Sequence, residues 1–291
     1  MRLVWEDDFD GSTLNESVWN VLEQVHRGGV YTRANVQVEG GVLTLRTIAQ
    51  NLTIDQGGKP TSFYVSSGAV NTSRLREQRT GRWEARVKLP HVSASVGYTL
   101  HSSIWLFADM ANPERSGCAQ EIDVVEQYMA GTGSYLPSRA TANLHPYNGT
   151  RHGSYGCRKE PYARPLRTTA IGDWTSRWTT FTVDWTDTFI AMSVDGQPYA
   201  LFEPAASTIA AFTDPLFLAL TACVLDRVFT SPRDVFPLEY LVDWVRVYEW
   251  APSATPGAIE RAPLATPSAV ESVAVPNDAM KAMPSRSVRC Q

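Results

Sequence analysis

The chain has 291 residues and a formal net charge of −4, and hydrophobic residues make up 43% of it against 19% charged residues. This composition supports a sizeable folded core and excludes wholesale disorder. The scattered lysines and arginines form no basic stripe for nucleic acid or an anionic membrane, and no run of 18 apolar residues predicts a membrane span. The nine tryptophans and eleven tyrosines fit either packing between β-sheets or stacking against sugar rings.

Residues 1–250 have the pattern of one all-β domain. Short runs rich in Val, Ile, Thr, Phe and Trp are separated by turn signals such as Glu39-Gly40-Gly41 and Asp195-Gly196. The predicted strands are Asn35–Val38, Val42–Thr47, Gly81–Leu89, Ser103–Phe107, Ile122–Val125, Thr179–Trp185, Ile190–Val194, Leu216–Thr221 and Val242–Trp250. Regular short strands with little helical periodicity predict a two-sheet antiparallel β-sandwich or jelly roll.

The strand Gly81–Leu89 shows the clearest two-residue periodicity. Its apolar side chains alternate with charged ones; the apolar set is Trp83, Ala85, Val87 and Leu89, and the charged set is Glu84, Arg86 and Lys88. Because successive side chains of a strand point to opposite faces, this predicts one face in the core and one toward solvent.

The amino-acid composition of the chain changes at Ala251. From there to Gln291 it is rich in Ala, Pro and Ser and has no periodicity. Such a segment buries too little apolar surface to offset its ordering entropy, so residues 251–291 are predicted to be a disordered tail or a linker.

The cysteines and the first residues bear on the compartment. The four cysteines, which allow three pairings, are Cys118, Cys157, Cys223 and Cys290. None has the C-x-x-C spacing typical of zinc sites. The first ten residues lack the apolar core of a signal peptide, which fits a cytosolic protein or a chain that begins at its mature start.

Three carboxylic acids lie within six residues of the predicted strand in the middle of the chain. They are Glu121, Asp123 and Glu126, and large aliphatic residues fill the positions between them. On a regular strand Glu121 and Asp123 share a face, and one bulged residue near Val124–Val125 returns Glu126 to it. The two glutamates are then about four rises, or roughly 13 Å, apart along the strand. Their side chains can close this to the ~5.5 Å that retaining glycosidases need.

Two other interpretations of the three acids remain open. They are a solvated strand face and a calcium site. Like charges this close seldom line a surface without Lys or Arg partners, and a calcium loop would carry more Asp, Asn and Gly. Asp123 also raises the proton affinity of its neighbours by repulsion, which suits acid–base chemistry. We therefore interpret the cluster as catalytic.

This segment resembles the E-x-D-x-x-E signature of glycoside hydrolase family 16, the laminarinase-type β-glucanases. The resemblance covers about residues 3–250, and its ordered pieces are Leu3–Gly11, Tyr31–Val36, Gly41–Leu45, Ser67–Thr72, Gly81–Pro90, Phe181–Trp185 and Val242–Tyr248. Any one piece is weak, but the ordered set is specific. It implies a β-jelly roll of two curved antiparallel sheets, like the concanavalin A-type lectins, with the glycan in the concave cleft.

The resemblance also implies roles for individual residues. Glu121 matches the nucleophile, Glu126 the acid/base and Asp123 the assisting acid. Trp105 matches a tryptophan beneath the cleaved sugar and His145 a histidine of the cleft, although a core indole and a backbone-bonded loop histidine are alternatives. The other expected substrate-binding residues are Asn35, Arg86 and His101.

The sequence departs from the family pattern in two places. The family carries Trp-Pro-Ala where this chain has His101-Ser102-Ser103, so a sugar-stacking tryptophan is missing. The segment Leu220–Leu225 replaces the family's Leu-Asn and Gly-Gly stretch. Both predict a cleft wall that differs from the family's, with less ring area against the sugar at position 101.

The family also suggests a structural calcium ion away from the cleft. Its ligands would be oxygens near Asp8, Gly41 and Asp243, although both acids also fit a role in turns or at the surface. Catalysis itself is expected to need no cofactor.

Together these features predict an endo-acting retaining hydrolase of β-1,3- or mixed β-1,3/1,4-glucan. A transglycosylase on the same polysaccharides would use the same residues, and a non-catalytic β-glucan-binding lectin would share the sandwich. A polymeric substrate predicts a secreted or wall-associated monomer whose signal peptide is not part of this chain. In that compartment Cys118 and Cys157, which flank the cleft-forming segment, could pair.

Overall fold

The computed structural model describes residues 1–91, 100–116, 119–129, 141–145, 147–148, 158–159, 174, 177–202, 212–224 and 236–251. Within these residues the chain forms twenty strands and a 3-10 turn at Arg33–Asn35. The strands are β1 (Arg2–Asp7), β2 (Asn20–Val21), β3 (Val25–His26), β4 (Gly29–Tyr31), β5 (Val36–Glu39), β6 (Val42–Asp55), β7 (Pro60–Ser67), β8 (Ala69–Asn71), β9 (Glu77–Gln78), β10 (Gly81–Lys88), β11 (Leu100–Ala108), β12 (Glu121–Met129), β13 (Thr141–His145), β14 (Tyr147–Asn148), β15 (Arg158–Lys159), β16 (Thr179–Trp185), β17 (Ile190–Val194), β18 (Gln197–Phe202), β19 (Leu216–Val224) and β20 (Leu238–Glu249).

The strands form two large sheets and one short ladder. The larger sheet has eleven strands in the order β18-β17-β16-β10-β20-β6-β7-β4-β3, with β1 paired to β20 and β5 to β6. The smaller sheet has seven in the order β13-β12-β11-β19-β8-β2, with β9 paired to β19, and β14 pairs with β15. The pairs are antiparallel except β4 with β7, which is parallel. The predicted two-sheet antiparallel jelly roll is confirmed, with this one parallel pair as a local exception.

The core lies between the two sheets and follows from alternation along their strands. In β10, Trp83, Ala85 and Val87 are at most 4% exposed, and the charged residues between them lie on the opposite face. From the smaller sheet, Ile104 and Leu106 of β11 join the same cluster. Burying a side chain of this size stabilises the fold by roughly 1.5–3 kcal/mol. The smaller sheet therefore has its apolar face inward, and its other face is left for polar and aromatic side chains.

Each of the nine predicted strands overlaps an observed strand, but others were missed. The clearest case is β7, whose eight residues include three serines, a threonine and a proline. Phe63 and Val65 of β7 are 1% exposed, so the strand is half-buried although its sequence shows little apolar alternation. Polar residues at many positions of a strand interrupt the apolar–polar alternation by which a strand is recognised in a sequence.

Several predictions fall outside the described residues. Cys118, Cys157, Cys290 and the tail from residue 252 lie there, so the disulfide pairing and the disorder of the tail stay predictions. Cys223 is described and is a buried free thiol. No helix in the described part of the chain is long and apolar enough to cross a membrane.

Candidate active site

A β-bulge in β12 sets the direction of the three acids. Asp123 lies opposite Trp105 of β11, whereas Glu126 lies opposite Ser103, so three residues of β12 span two of β11. The pairing with β13 slips at the same place. The predicted bulge is confirmed. The aliphatic residues between the acids enter the core at no more than 1% exposure; they are Ile122, Val124 and Val125.

The bulge is tied to the opposite sheet by a buried hydrogen bond. The hydroxyl of Tyr199 on β18 donates to the backbone carbonyl of Val124, the residue that the bulge inserts. Tyr199 is 5% exposed. A buried carbonyl without a partner costs free energy, so the Tyr199 hydroxyl stabilises the bulged conformation.

Aromatic side chains from β11 and β19 cover the sheet face beside the acids. The Trp105 and Phe107 rings are 5.3 Å apart, edge to face, and Phe107 lies 5.8 Å from Phe217. Trp105 Nε1 donates to Thr221 Oγ1 at 3.2 Å, and this hydroxyl also bonds to Ser103 Oγ at 2.7 Å. Trp105 and Phe107 are only partly buried. The indole is therefore fixed by a hydrogen bond while part of its surface stays open.

Glu121, Asp123 and His145 form one compact group. His145 on β13 lies opposite Glu121 in the ladder, and its Nε2 is 3.1 Å from Asp123 Oδ2. One ligand atom from each of the three lies within 4.8 Å of the others, a spacing that would also suit a divalent cation. The structure thus brings His145 to the acids, and its role in binding the substrate stays a prediction.

The two carboxyl groups of this cluster both have raised pKa values. Burial, with repulsion from Asp123 next, raises the pKa of Glu121 to about 8. Burial also raises the pKa of Asp123 well above its ordinary value, with repulsion from Glu126 adding to it. Glu121 and Asp123 are hydrogen bonded to each other. Two adjoining buried carboxyls do not both ionise, so the pair retains a proton at neutral pH.

Glu126 has a histidine as its partner. His101 Nε2 lies 3.1 Å from Glu126 Oε1, and His101 Nδ1 lies 3.6 Å from the Sγ atom of Cys223 on β19. The side chains of His101 and Glu126 are 11% and 14% exposed. Histidine thus contacts the acidic cluster at two places, His145 at Asp123 and His101 at Glu126.

The sequence profile of Glycosyl hydrolases family 16 matches residues 27–225, which include β12, its bulge and the strands on either side. This chain belongs to family 16.

Known proteins similar to this family 16 chain include a glucanase and two solved structures. Glucan endo-1,3-beta-glucosidase A1 of Niallia circulans is 25% identical over 281 residues, covering 86% of this chain and 38% of that protein. The chain therefore spans well under half the length of this relative. A structure of endo-acting O-glycanases that initiate mucin breakdown in the human gut microbiota aligns at a TM-score of 0.66, with 23% identity over 85% and 90% of the two chains. The laminarinase catalytic domain of Thermotoga maritima MSB8 aligns at 0.65, with 21% identity over 86% and 99%.

The prediction that Arg86 binds substrate is wrong for this family 16 fold. Arg86 is on β10 of the larger sheet, on the face opposite Trp83, Ala85 and Val87. Its guanidinium pairs with Asp243 and lies 5.4 Å from the centre of the Trp178 ring. The alternation in the sequence assigned Arg86 to a solvent face, and the topology puts that face on the sheet that does not carry the acids.

Asn35 is likewise not open to a sugar. It ends the 3-10 turn and is 2% exposed. Its Nδ2 donates to Ser66 Oγ at 2.8 Å, and Ser66 in turn donates to Gln50 Oε1. The turn directs the amide inward against β7, so the predicted substrate contact is wrong and Asn35 has a structural role.

His101 lies on the predicted face but in a different role. Both ring nitrogens are within reach of partners, Glu126 and Cys223, and the ring is largely buried. It therefore does not offer an open ring face to a sugar. The absent tryptophan is replaced by a contact to one of the acids.

The proposed calcium ligands do not form a free ligand set. Asp8 Oδ1 lies 3.4 Å from Arg246, and Asp243 pairs with Arg86. Gly41 adopts a φ of +78°, which only glycine adopts readily, so the turn accounts for it without an ion. The calcium ion stays a prediction.

Sequence reasoning missed several residues of this site. Phe107 is two positions after Trp105, so strand alternation alone would have found it. Phe217 and Cys223 are more than 100 residues away in sequence and meet β11 only through the β11–β19 pairing. Tyr199 reaches the bulge from the other sheet, and no sequence signal marks it.

Proposed function

We propose that this chain is an endo-acting retaining glycosidase of β-1,3- or mixed β-1,3/1,4-glucan. The observation that carries the proposal is the bulge, because it gathers Glu121, Asp123 and Glu126 on one sheet face beside an open aromatic ring. Glu121 and Glu126 lie opposite Phe107 and Ser103, four positions apart on β11. That is roughly 13 Å between backbones, which two glutamate side chains leaning together can close to the ~5.5 Å of a retaining pair.

In the first step Glu121 is the nucleophile. Its carboxylate attacks the anomeric carbon while the carboxyl of Glu126 gives its proton to the departing glycosidic oxygen. The proton that the Glu121–Asp123 pair retains has a role in this step. With that proton on Asp123, Glu121 is ionised for attack, and the pair carries one negative charge instead of two adjoining ones. His145 Nε2 lies 3.1 Å from Asp123 Oδ2 and contacts that carboxyl.

In the second step Glu126 acts as the base. It removes a proton from a water molecule that attacks the glycosyl–Glu121 ester, and the sugar is released with its original anomeric configuration. The residue that gave a proton in the first step takes one in the second. Trp105, held by Thr221, provides the flat surface on which the sugar ring at the reacting centre stacks.

The β-glucan assignment rests on similarity together with the shape of the site. The relative from Niallia circulans is named for endo-1,3-β-glucosidase activity, and the Thermotoga maritima domain is a laminarinase. The gut O-glycanase structure has a similar fold, which keeps mucin-type O-glycans as an alternative substrate class. A transglycosylase would differ only in the acceptor of the second step. A lectin-like role would leave the paired carboxylates without a use.

A polymeric glucan substrate also implies an extracellular setting. We propose that the protein is secreted or wall-associated and acts as a monomeric domain, residues 1–250, followed by the tail. Recovery of the native protein only from cytosol would contradict this localisation.

Two substitutions test the assigned roles. Glu121→Ala should abolish hydrolysis, and added azide should yield a glycosyl azide of inverted configuration because it attacks the vacated face. Glu126→Ala should keep the first step on aryl glycosides with good leaving groups, and azide should restore turnover with retention. Glu239→Ala, an exposed acid on the larger sheet, is the matched control. Anomeric NMR of first-formed products from laminarin, lichenan and mucin O-glycans reads both linkage and stereochemistry, and inverted wild-type products would refute the roles.

A further inference from the structure

His101 has two contacts that the proposed reaction does not use. It lies on β11 with Nε2 3.1 Å from Glu126 Oε1 and Nδ1 3.6 Å from Cys223 Sγ. Cys223 lies directly opposite His101 in the β11–β19 ladder and is 3% exposed. A side chain bound at both ring nitrogens has little freedom to rotate. The geometry therefore fixes the imidazole between a thiol behind it and a carboxyl in front.

The charge states of the pair are shifted toward an ion pair. Burial lowers the pKa of His101, but hydrogen bonds to Cys223 and Glu126 outweigh it and raise that pKa to about 9. Burial raises the pKa of Cys223, but hydrogen bonds from His101 and His26 outweigh it and lower that pKa to about 6. Both shifts favour an imidazolium beside a thiolate, with Glu126 on the other side of the ring.

Other titratable and charged groups face the same pair. They come from three neighbouring elements and are Glu126 and Asp123 on β12, His26 on β3 with Arg27 after it, and Tyr31 on β4. The His26 and Tyr31 rings stack at 5.0 Å, so they close the side of Cys223 away from β11. The position of His101 is therefore determined by a packed cluster of side chains and not by a single contact.

We propose that His101 is a positioning residue for Glu126, anchored by Cys223, that holds the carboxyl in place and sets the pH above which it can no longer donate a proton. This proposal rests on the assignment of Glu126 as the acid/base. A cation 3.1 Å from a carboxyl favours its ionised form, so His101 lowers the pH at which Glu126 loses its proton. In the second step the same cation helps to hold the carboxylate that must accept a proton from water.

The first test is the pH profile of His101→Asn, which keeps a hydrogen-bond donor and removes the positive charge. We expect the basic limb of kcat/KM to move to higher pH by about half to one unit, because Glu126 loses the cation that favours its ionised form. The kcat at the optimum should fall about 5- to 50-fold, and KM should change less than about twofold. His91→Asn, an exposed histidine after β10, is the matched control.

An unmoved basic limb would overturn the proposal, even with kcat reduced, because a purely structural contact would lower kcat without moving the limb. A large rise in KM with the limb in place would make His101 a sugar contact. His101→Gln, with a longer amide, repeats the test if the asparagine variant unfolds.

The second test separates this proposal from the assignment of Glu126. His101→Asn is combined with Glu126→Ala, and azide-supported turnover of an activated aryl glycoside is measured. If His101 acts through Glu126, adding His101→Asn to the Glu126→Ala variant should change the rate less than about twofold. A further 5- to 50-fold loss would overturn the positioning role. If Glu126→Ala alone showed no azide rescue and no leaving-group dependence, the acid/base assignment would fail instead.

Discussion

The charge crowding at Glu121 should make the stability of the domain depend on pH, and Glu121→Gln should remove much of that dependence. The folded-state pKa of Glu121 is raised from 4.5 to about 8. Between these values the folded protein keeps a proton that the unfolded chain has lost, so the stabilising contribution is complete below about pH 4.5 and is lost as pH rises through 8. One pKa unit is worth about 1.4 kcal/mol, so the wild type should lose up to about 5 kcal/mol across this window.

The measured quantity is the free energy of unfolding of Glu121→Gln minus that of the wild type. This difference should be larger at pH 8 than at pH 4.5 by at least about 2 kcal/mol. The lower bound allows for the coupling between Glu121 and Asp123, which spreads the titration over two groups. Urea unfolding at pH 4.5, 6 and 8, followed by tryptophan fluorescence, measures the difference, with Glu239→Gln on the surface as control. A stability difference that is the same within about 0.5 kcal/mol at all three pH values would refute the buried, crowded state inferred for Glu121.

Three further predictions concern the groups around the acids. Tyr199→Phe leaves the Val124 carbonyl without its donor, so the free energy of unfolding measured with urea should fall by about 1–3 kcal/mol. The same variant should lower kcat by a larger factor than it raises KM. Tyr240→Phe is its control, because the buried Tyr240 hydroxyl has no hydrogen-bond partner in the described structure; equal costs for both would refute the role of Tyr199. Trp105→Ala should weaken oligosaccharide binding by about 1–3 kcal/mol in calorimetry, by analogy with the stacking of bases on aromatic rings. The affinity of Trp105→Phe should lie between those of Trp105→Ala and the wild type. An unchanged affinity would mean that the indole does not contact the sugar. Cys223→Ser should lower the His101 midpoint in a ¹⁵N NMR titration below its value of about 9, because the bond to Cys223 is the largest contribution that raises it; an unchanged midpoint would remove Cys223 as the anchor.

The bulge shows how much of the site the sequence could supply. Glu121 and Glu126 differ in parity along the strand, and the aliphatics between them must be buried, so only an extra residue lets both acids share a face. That inference needs no tertiary information, and the structure has the bulge where it was predicted. The same alternation rule correctly separated the faces of β10. It could not say that the charged face of β10, with Arg86, belongs to the sheet without the acids.

Contacts made by distant strands lay beyond the sequence. His101 and Cys223 are 122 residues apart and meet because β11 pairs with β19 in one particular register. A register slip of one residue would turn Cys223 into the core and bring Ala222 or Val224 outward. The sequence marked both segments as departures from the family pattern, at positions 101 and 220–225. It could not show that the two departures touch each other and form a single substituted patch.

That patch lies at one end of the reacting centre, and its place indicates which half of the substrate it affects. The ring row of Phe107 and Phe217 lies beside Glu121, which in the proposed mechanism holds the sugar that becomes covalently bound. His101 and Cys223 lie beside Glu126, which serves first the leaving sugar and then the incoming acceptor. Replacing a flat aromatic wall by the buried His101–Cys223 pair therefore changes the acceptor side and leaves the side of the bound sugar intact. A wall without a stacking ring should hold a sugar acceptor less firmly against water, so we expect hydrolysis to prevail over transfer to another sugar.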